Sequence, residues 1–310
     1  MDSPKCASNE KNITFDNFLE YTFEDNRNKK IDLLTETSLE DVKSGIKYSD
    51  RNNYISYLTN NFIKCYSKSE CSYNNVRFHM ADARNSSENI LMNLTLTLVE
   101  AGYNIFECIR YMNNINSGVF AINTAKIYTD QLRQGITILE SMLQKPIDYN
   151  SYIPKKTIKQ INNIKYPEIK VYLQNYLYSE IQKYTHDITK ASLDELLSDS
   201  KELLNGLITS DKSKIITFGY KVPKNLFKFF LDPAMVFMDV YLIGRIFRQF
   251  KDGTECNNCI IYAGNNHCEN YEKILLDFGF AKVFETHAKD QGSDKFQCLD
   301  LTGLKLPLFS

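Results

Sequence analysis

Apolar residues recur along this chain with two different spacings, and the two spacings predict different secondary structures. Short runs of apolar and β-favouring residues at 31–35, 76–80 and 259–263 predict β-strands, and the unbroken third run predicts a strand covered on both faces. Elsewhere, apolar residues recur every three or four positions, as at Val236 and Val240, which is typical of amphipathic helices. Because strands that alternate with helices pair mainly in parallel, the sequence predicts an α/β fold with a small, mostly parallel sheet and flanking helices.

A long stretch with helical spacing interrupts the series of strands. It covers residues 115–232, and we interpret it as a helical insertion within a single α/β domain of residues 1–310. Ahead of the insertion, Gly102 is predicted to break a helix. Within it, residues 215–218 could form a short strand or the edge of a loop.

The chain beyond the third strand predicts one more helix and two more strands. Gly264 frees the backbone at the end of the strand, and Gly279 is placed where a helix C-cap favours glycine. The runs at 282–284 and 296–301 then predict terminal strands, which could pair as an antiparallel hairpin.

Composition excludes some classes of partner and compartment. The formal net charge is -1, so no excess of basic residues favours nucleic acid or an anionic membrane, and neither is predicted as a partner. No apolar run approaches the roughly 20 residues that span a bilayer, and the polar N-terminus does not resemble a signal peptide. We therefore predict a cytoplasmic protein whose 8 cysteines are free thiols.

One pair of cysteines has the spacing of a metal knuckle or a redox pair. Cys256 and Cys259 are separated by two asparagines, and His267 and Cys268 follow. A structural zinc site needs four such ligands, and a second knuckle is missing. A thioredoxin-type pair begins a helix, whereas this pair precedes a strand. We therefore expect ordinary buried thiols.

Candidate functional residues follow the predicted strands. His267 comes three residues after Gly264, and Glu36, Asp82 and Arg84 stand just beyond the first two strands. Because ligands of open α/β sheets bind at the carboxyl ends of strands, these side chains could together bind a divalent metal or act as a general acid/base pair. Each alone could instead be a helix cap or half of an ion pair. His79, inside a strand, is expected to be a hydrogen-bonded core histidine.

These motifs resemble the Tiki/TraB/ChaN/erythromycin-esterase-like superfamily. More closely, they are similar to an uncharacterised protein family of giant DNA viruses of the mimivirus type, whose AT-rich genomes agree with the abundant Asn, Lys, Ile and Tyr. The segments that carry the resemblance are IDLLTE (31–36), HMADAR (79–84), MDVYLIGRIFR (238–248) and IIYAGNNHCENYEKILLDFGF (260–280).

The resemblance implies a metal-dependent hydrolase with an incomplete active site. It makes Glu36 and His267 metal or substrate ligands and Asp82 a base or ligand, with Arg84 or Arg245 holding an anionic group. The superfamily's early Gly-Glu/Asp-x-His motif has no counterpart in residues 1–30, so we expect impaired turnover. The alternative is a non-catalytic binding or virion-associated scaffold, in the host cytoplasm or the virion. The sequence leaves open the substrate, a small-molecule or protein partner, and the oligomeric state.

Overall fold

The structure is a computed structural model, and it divides the chain into two compact units. Unit 1 comprises residues 1–82 and 242–310, and unit 2 comprises residues 83–241. The helical insertion of residues 115–232 and the assignment of the whole chain to one domain both stay predictions. The structure describes residues 12–37, 62, 71, 73–82, 97–98, 100–112, 118–144, 150, 153–186, 188–285, 298–300, 304 and 308–309.

The described residues form ten α-helices, one π-helix and five strands. The strands are β1 (Asn12–Thr14), β2 (Ile31–Thr35), β3 (Val76–Met80), β4 (Cys259–Tyr262) and β5 (Cys298–Asp300). The helices are α1 (Phe15–Asp25), α2 (Glu100–Met112), α3 (Gly118–Lys126), α4 (Thr129–Leu143), α5 (Lys155–Asn162), α6 (Pro167–His186), α7 (Lys190–Thr209), α8 (Lys212–Leu226), the π-helix (Phe227–Leu231), α9 (Asp232–Ile246) and α10 (Asn265–Asp277).

Unit 1 is built on a three-stranded parallel sheet in the order β3-β2-β4. This confirms the predicted α/β class and the parallel pairing. Because β4 lies at an edge of the sheet, its residues are half-buried, and the expectation of a strand covered on both faces is wrong. The predicted C-terminal hairpin is not confirmed, because β5 pairs antiparallel with β1 and residues 282–284 are not a strand.

One face of the sheet packs into an apolar core. Side chains of β2 and β3 point alternately to the two sides, so Ile31, Leu33 and Phe78 share one side. Helix α1 covers this side with Leu19 and Phe23, and all five side chains are buried. Their removal from water stabilises the packing of α1 on the sheet by roughly 1.5–3 kcal/mol per large side chain.

The opposite face of the sheet carries polar side chains instead. Asp32 is paired in register with Arg77 on one side and Cys259 on the other, and His79 lies one step further along β3. Asp32 and His79 are nevertheless buried, with 1% and 3% of their surface exposed. A buried polar face must be internally hydrogen-bonded, and these bonds define the chemistry of unit 1.

Unit 2 consists of helices whose buried stripes pack together. Two local predictions fail here. Gly102 lies inside α2 and does not end a helix, and a Cβ there would make only ordinary contacts with Leu226 and Pro223, at 3.4 Å. Residues 215–218 are helical because Asp211 caps α8 by accepting hydrogen bonds from the first turn.

Candidate functional site

The carboxyl edge of the parallel sheet brings Glu36 and His267 together. Glu36 directly follows β2, and His267 lies in the first turn of α10, which begins straight after β4. The Glu36 Oε1 and His267 Nε2 atoms are 3.6 Å apart. The structure thus pairs two residues that lie far apart in sequence, at the edge where open α/β sheets bind ligands.

Glu36 is also fixed to the start of α10. Its Oε2 atom accepts a hydrogen bond of 2.9 Å from the backbone N–H of Gly264, the N-cap of this helix. In a capping box, a carboxylate at the third helical position makes this bond, but here that position is His267. A carboxylate from a neighbouring strand replaces it, and the positive end of the helix stabilises its charge.

The two members of the pair differ in their access to solvent. The His267 side chain is 2% exposed, whereas that of Glu36 is 16% exposed. The His267 ring stacks on Tyr271, one turn further along α10, with a centroid distance of 6.0 Å. A ligand arriving at this edge therefore meets the carboxylate first, and the imidazole lies beneath it.

Of the other predicted site residues, the structure describes Asp82 and Arg245. The backbone N–H of Asp82 donates to the carbonyl oxygen of Thr37 at 3.0 Å, which continues the pairing of β2 and β3 to the same edge. Arg84 lies outside the described residues. Arg245 lies in the last turn of α9, where its Nε donates a hydrogen bond of 3.1 Å to Nδ1 of His79.

Arg245 begins a series of hydrogen bonds on the polar face of the sheet, which runs through His79 to Asp32. Because its Nε–H donates to Nδ1 of His79, that nitrogen carries no proton, and the proton of the neutral ring is on Nε2. Nε2 then donates to Asp32 Oδ1 at 2.6 Å. Both ring nitrogens are thus engaged, and the imidazole holds Asp32 and Arg245 in place rather than binding a ligand. His79 is the hydrogen-bonded core histidine that its strand position predicted.

Neighbouring groups determine the protonation states of Asp32 and His79. Burial alone acts to raise the pKa of Asp32, but hydrogen bonds from His79 and Arg77 outweigh it and hold the pKa below the ordinary value. Burial is the main cause that lowers the pKa of His79, and the charge of Arg245 adds to it against the opposing hydrogen bond to Asp32. Asp32 is therefore ionised and His79 neutral near pH 7.

Arg77 ties the sheet to the loop that covers its polar face. Its Nε and Nη2 atoms donate to the two carboxylate oxygens of Asp32 at 2.5 and 2.8 Å. Its other donors reach the Thr254 hydroxyl and the carbonyl oxygen of Glu255. The guanidinium also lies 3.7 Å from the ring centroid of Phe250. One arginine therefore joins β2, β3 and the segment that leads into β4.

The metal site implied by the resemblance is only partly represented. Glu36 and His267 supply two donors of the required type. Within the described residues, however, no group of three or more His, Cys, Asp or Glu side chains could hold a metal ion. A catalytic zinc site uses three protein ligands, so this pair alone does not fit one.

The sequence reasoning missed Asp32 and Arg77. A signal for them exists, since both are charged residues inside runs otherwise apolar enough to predict strands. A charge in such a run is either a solvent-facing residue or half of a buried pair, and the pattern of one strand does not distinguish the two. Only the register of β2 against β3 brings these two charges together.

Comparisons with known proteins do not identify a relative. No protein-family model, no curated protein and no solved structure matches the chain. In addition, none of the helices in the part of the chain that the structure describes is long and apolar enough to cross a membrane.

Proposed function

We propose that unit 1 carries a hydrolase-like site at the carboxyl edge of its sheet, with Glu36 as the general base. The observation that carries the proposal is the 3.6 Å approach of Glu36 and His267 at this edge. The resemblance to metal-dependent hydrolases of the Tiki/TraB type supports a hydrolytic site at this edge, although it implies that Glu36 is a ligand and Asp82 the base. Residues 1–30 contain no counterpart of the early motif, so we propose that turnover is impaired.

In this proposal each residue of the pair has a distinct task. Glu36 is the more exposed member, so its Oε1 takes a proton from a water molecule that attacks the substrate. The Gly264 N–H fixes the other carboxylate oxygen and leaves Oε1 directed towards His267. His267 is a positioning residue that orients Glu36 from beneath. No part of this scheme requires a bound metal.

The position and chemistry of Arg245 favour a substrate with an anionic group. Its Nε is used by His79, and among the described residues no hydrogen bond involves its two Nη groups. These groups have the forked geometry that binds carboxylate or phosphate oxygens in pairs. Carboxylate-bearing esters, peptides and phosphoesters are therefore the substrates to screen first.

The proposal is tested by measuring hydrolysis of these three substrate classes by wild type, Glu36→Gln and His186→Asn. His186 is an exposed histidine at the end of α6 and serves as the matched control. We expect the Glu36 variant to lose about 100-fold or more of the activity, the usual contribution of a general base, and the control to keep it. Equal rates for wild type and Glu36→Gln, or no hydrolysis by wild type, would overturn the proposal.

A second role, that of a non-catalytic scaffold, is favoured by the bond between Glu36 and Gly264. This bond joins β2 to the start of α10, which is a sufficient structural reason for a carboxylate at position 36. Glu36→Gln keeps an oxygen that can accept the bond from Gly264 but loses the charge at the positive end of α10, so the free energy of unfolding should fall by about 0.3–1 kcal/mol in either role. The scaffold role differs in predicting that the wild type hydrolyses none of the three substrate classes, so the activity assay separates the two roles.

A further inference from the structure

Strand β4 forms an open edge of the sheet. It pairs with β2 on one side, and among the described residues no strand lies on its other side. The carbonyl oxygens of Asn258 and Tyr262 accept hydrogen bonds from the backbone of β2 and of the residue after it. Because backbone groups alternate in direction along a strand, the N–H and C=O groups of Cys259 and Ile261 point away from β2. Four hydrogen-bonding groups are therefore in place for a further strand.

The sequence of β4 contains none of the features with which proteins protect such an edge. Edge strands commonly carry a charged side chain, a proline or a bulge, each of which hinders pairing with another chain. Residues 259–262 read CIIY, with two β-branched residues, one aromatic residue and no charge or proline. Their register against β2 is continuous, so the strand has no bulge. This edge is therefore suited to pairing with an added strand.

An apolar groove lies beside this edge. It has a volume of about 370 Å³ and is lined by Ile261 of β4, by one side of α10 that includes Leu275, and by residues 280–285. Two of its large apolar side chains are open to solvent, since Leu276 is 45% exposed and Phe280 is 54% exposed. Because burial of apolar surface is favourable, a strand that pairs with β4 can gain free energy by placing apolar side chains in the groove.

Charged groups at the rim of the groove are mainly acidic. Glu272 and Glu285 line it, and both form ion pairs with the ammonium group of Lys282. Two carboxylates and one ammonium group leave one negative charge in excess. Pairing of β4 with β4 of a second copy would bring both acidic rims to the same side of the joined sheet, where like charges repel. The rim instead complements a basic segment.

We propose that the open edge of β4 and the adjoining groove bind an extended segment of a partner protein, with apolar residues at its centre and basic residues at its ends. The segment adds to the sheet beside β4, and its backbone pairs with Cys259 and Ile261. Because side chains alternate along a strand, every second side chain of the segment faces the groove, where apolar residues are favoured. The basic ends lie against Glu272 and Glu285. The proposed hydrolytic site uses neither the edge nor the groove.

The test measures the fluorescence anisotropy of a labelled peptide, KTITVTK, as the full-length chain is added. In an extended conformation this peptide presents its isoleucine, its valine and both lysines on one side. We expect it to bind at least about tenfold more tightly than the peptide ETITVTE, in which the charges at both ends are reversed. Absence of binding of KTITVTK by the wild type, or equal binding of the two peptides, would overturn the proposal.

A proline variant tests the pairing with the edge of β4. Ile261→Pro removes an N–H group that points away from β2 and leaves the bonds to β2 in place, which is how edge strands tolerate proline. We expect it to bind KTITVTK at least about tenfold more weakly than the wild type. Unchanged affinity in this variant would refute strand addition. Sedimentation velocity covers the other occupant, because a wild-type dimer that Ile261→Pro abolishes would assign the edge to a second copy and contradict the proposal.

A surface variant tests the groove and does not depend on the folding of the proline variant. Leu276→Lys places a charge in the groove at an exposed position, so it should keep the fold and weaken the binding of KTITVTK at least about tenfold. Tyr178→Lys in α6 is the matched control, because both side chains are 45% exposed, and it should bind as the wild type does. Circular dichroism checks that each variant is folded. Equal affinities of these two lysine variants would exclude the groove as the binding surface.

Discussion

At the scale of single residues, the most consequential side chain of unit 1 is Asp32. It is 1% exposed, yet it is ionised, because Arg77 donates to both of its oxygens and His79 donates to one of them. A carboxylate removed from water costs several kcal/mol unless such partners replace the lost hydration. Asp32 therefore tolerates burial only in the presence of both neighbours, and each of them depends on Asp32 in turn.

Replacing Asp32 by Asn should destabilise the protein strongly. The substitution keeps the size of the side chain but leaves the Arg77 charge without its carboxylate, and breaking a buried pair in this way costs about 3–5 kcal/mol. The matched control is Glu24→Gln, which removes an exposed ion pair with Arg27 and should cost no more than about 1 kcal/mol. Urea unfolding monitored by circular dichroism measures both, and similar losses would contradict the assigned role of Asp32.

His79 should make stability depend on pH. Its pKa in the folded protein lies below the ordinary value of 6.5, so the unfolded chain takes up a proton first as the pH falls. This contribution to stability is fully present above pH 6.5 and is lost as the pH falls through the folded-state pKa. His79→Gln keeps a donor for Asp32 but cannot ionise, so its unfolding free energy should vary less with pH just below 6.5. Equal pH slopes for the two proteins would refute this.

The sequence identifies some of these residues but not their relationships. Glu36 and His267 can be predicted as neighbours, because the carboxyl ends of parallel strands meet at one edge. Their contact distance supports that argument. The bond between Asp32 and Arg77 cannot be predicted in the same way, because it requires the register of two strands, and a shift of one residue would turn one of them to the other face. Likewise, the expectation of free thiols is correct for Cys256 and Cys259 but wrong for Cys71.

At the scale of secondary-structure elements, local signals determine where helices and strands lie. The predicted bounds of β2 and β3 agree with the structure because short apolar runs flanked by polar residues leave little choice. Gly279 ends α10 as predicted, with a φ of 86°, while the N–H groups of Gly279 and Phe280 bond back to Leu276 and Leu275. The failure at residues 215–218 shows the limit, because the β-branched residues there favour a strand, whereas α8 continues through them from its cap at Asp211.

Glycines in unit 2 should differ sharply in their tolerance of alanine. A Cβ at Gly135 in α4 would lie 2.2 Å from Cγ of Leu98, so Gly135→Ala should lower the free energy of unfolding by about 1–3 kcal/mol through overpacking. At Gly102 in α2 the nearest atoms are 3.4 Å away, so Gly102→Ala should be roughly neutral or gain up to about 1 kcal/mol from helix propensity. Thermal unfolding of the two variants measures the contrast, and an equal loss in both would argue against close packing at Gly135.

At the scale of the whole molecule, the residues of the proposed site and of the polar face lie in unit 1, which consists of two separate segments of the chain. Its first segment supplies Glu36, Asp32 and His79, and its second supplies His267 and Arg245. The proposed hydrolytic site lies at the carboxyl edge of the sheet, and the polar face extends from it towards the amino end.

The position of β2 in the middle of the sheet also governs how the protein can be made. A ribosome synthesises β2 and β3 early, but β4 emerges only after the whole of unit 2. Until then one edge of β2 has no partner strand, and Asp32 lacks the loop around Thr254 that completes its surroundings. Unit 2, which is continuous in sequence, has no such delay and can fold while the chain is still growing. A nascent chain halted before β4 is therefore expected to expose an unpaired strand edge, the kind of surface that chaperones protect during synthesis.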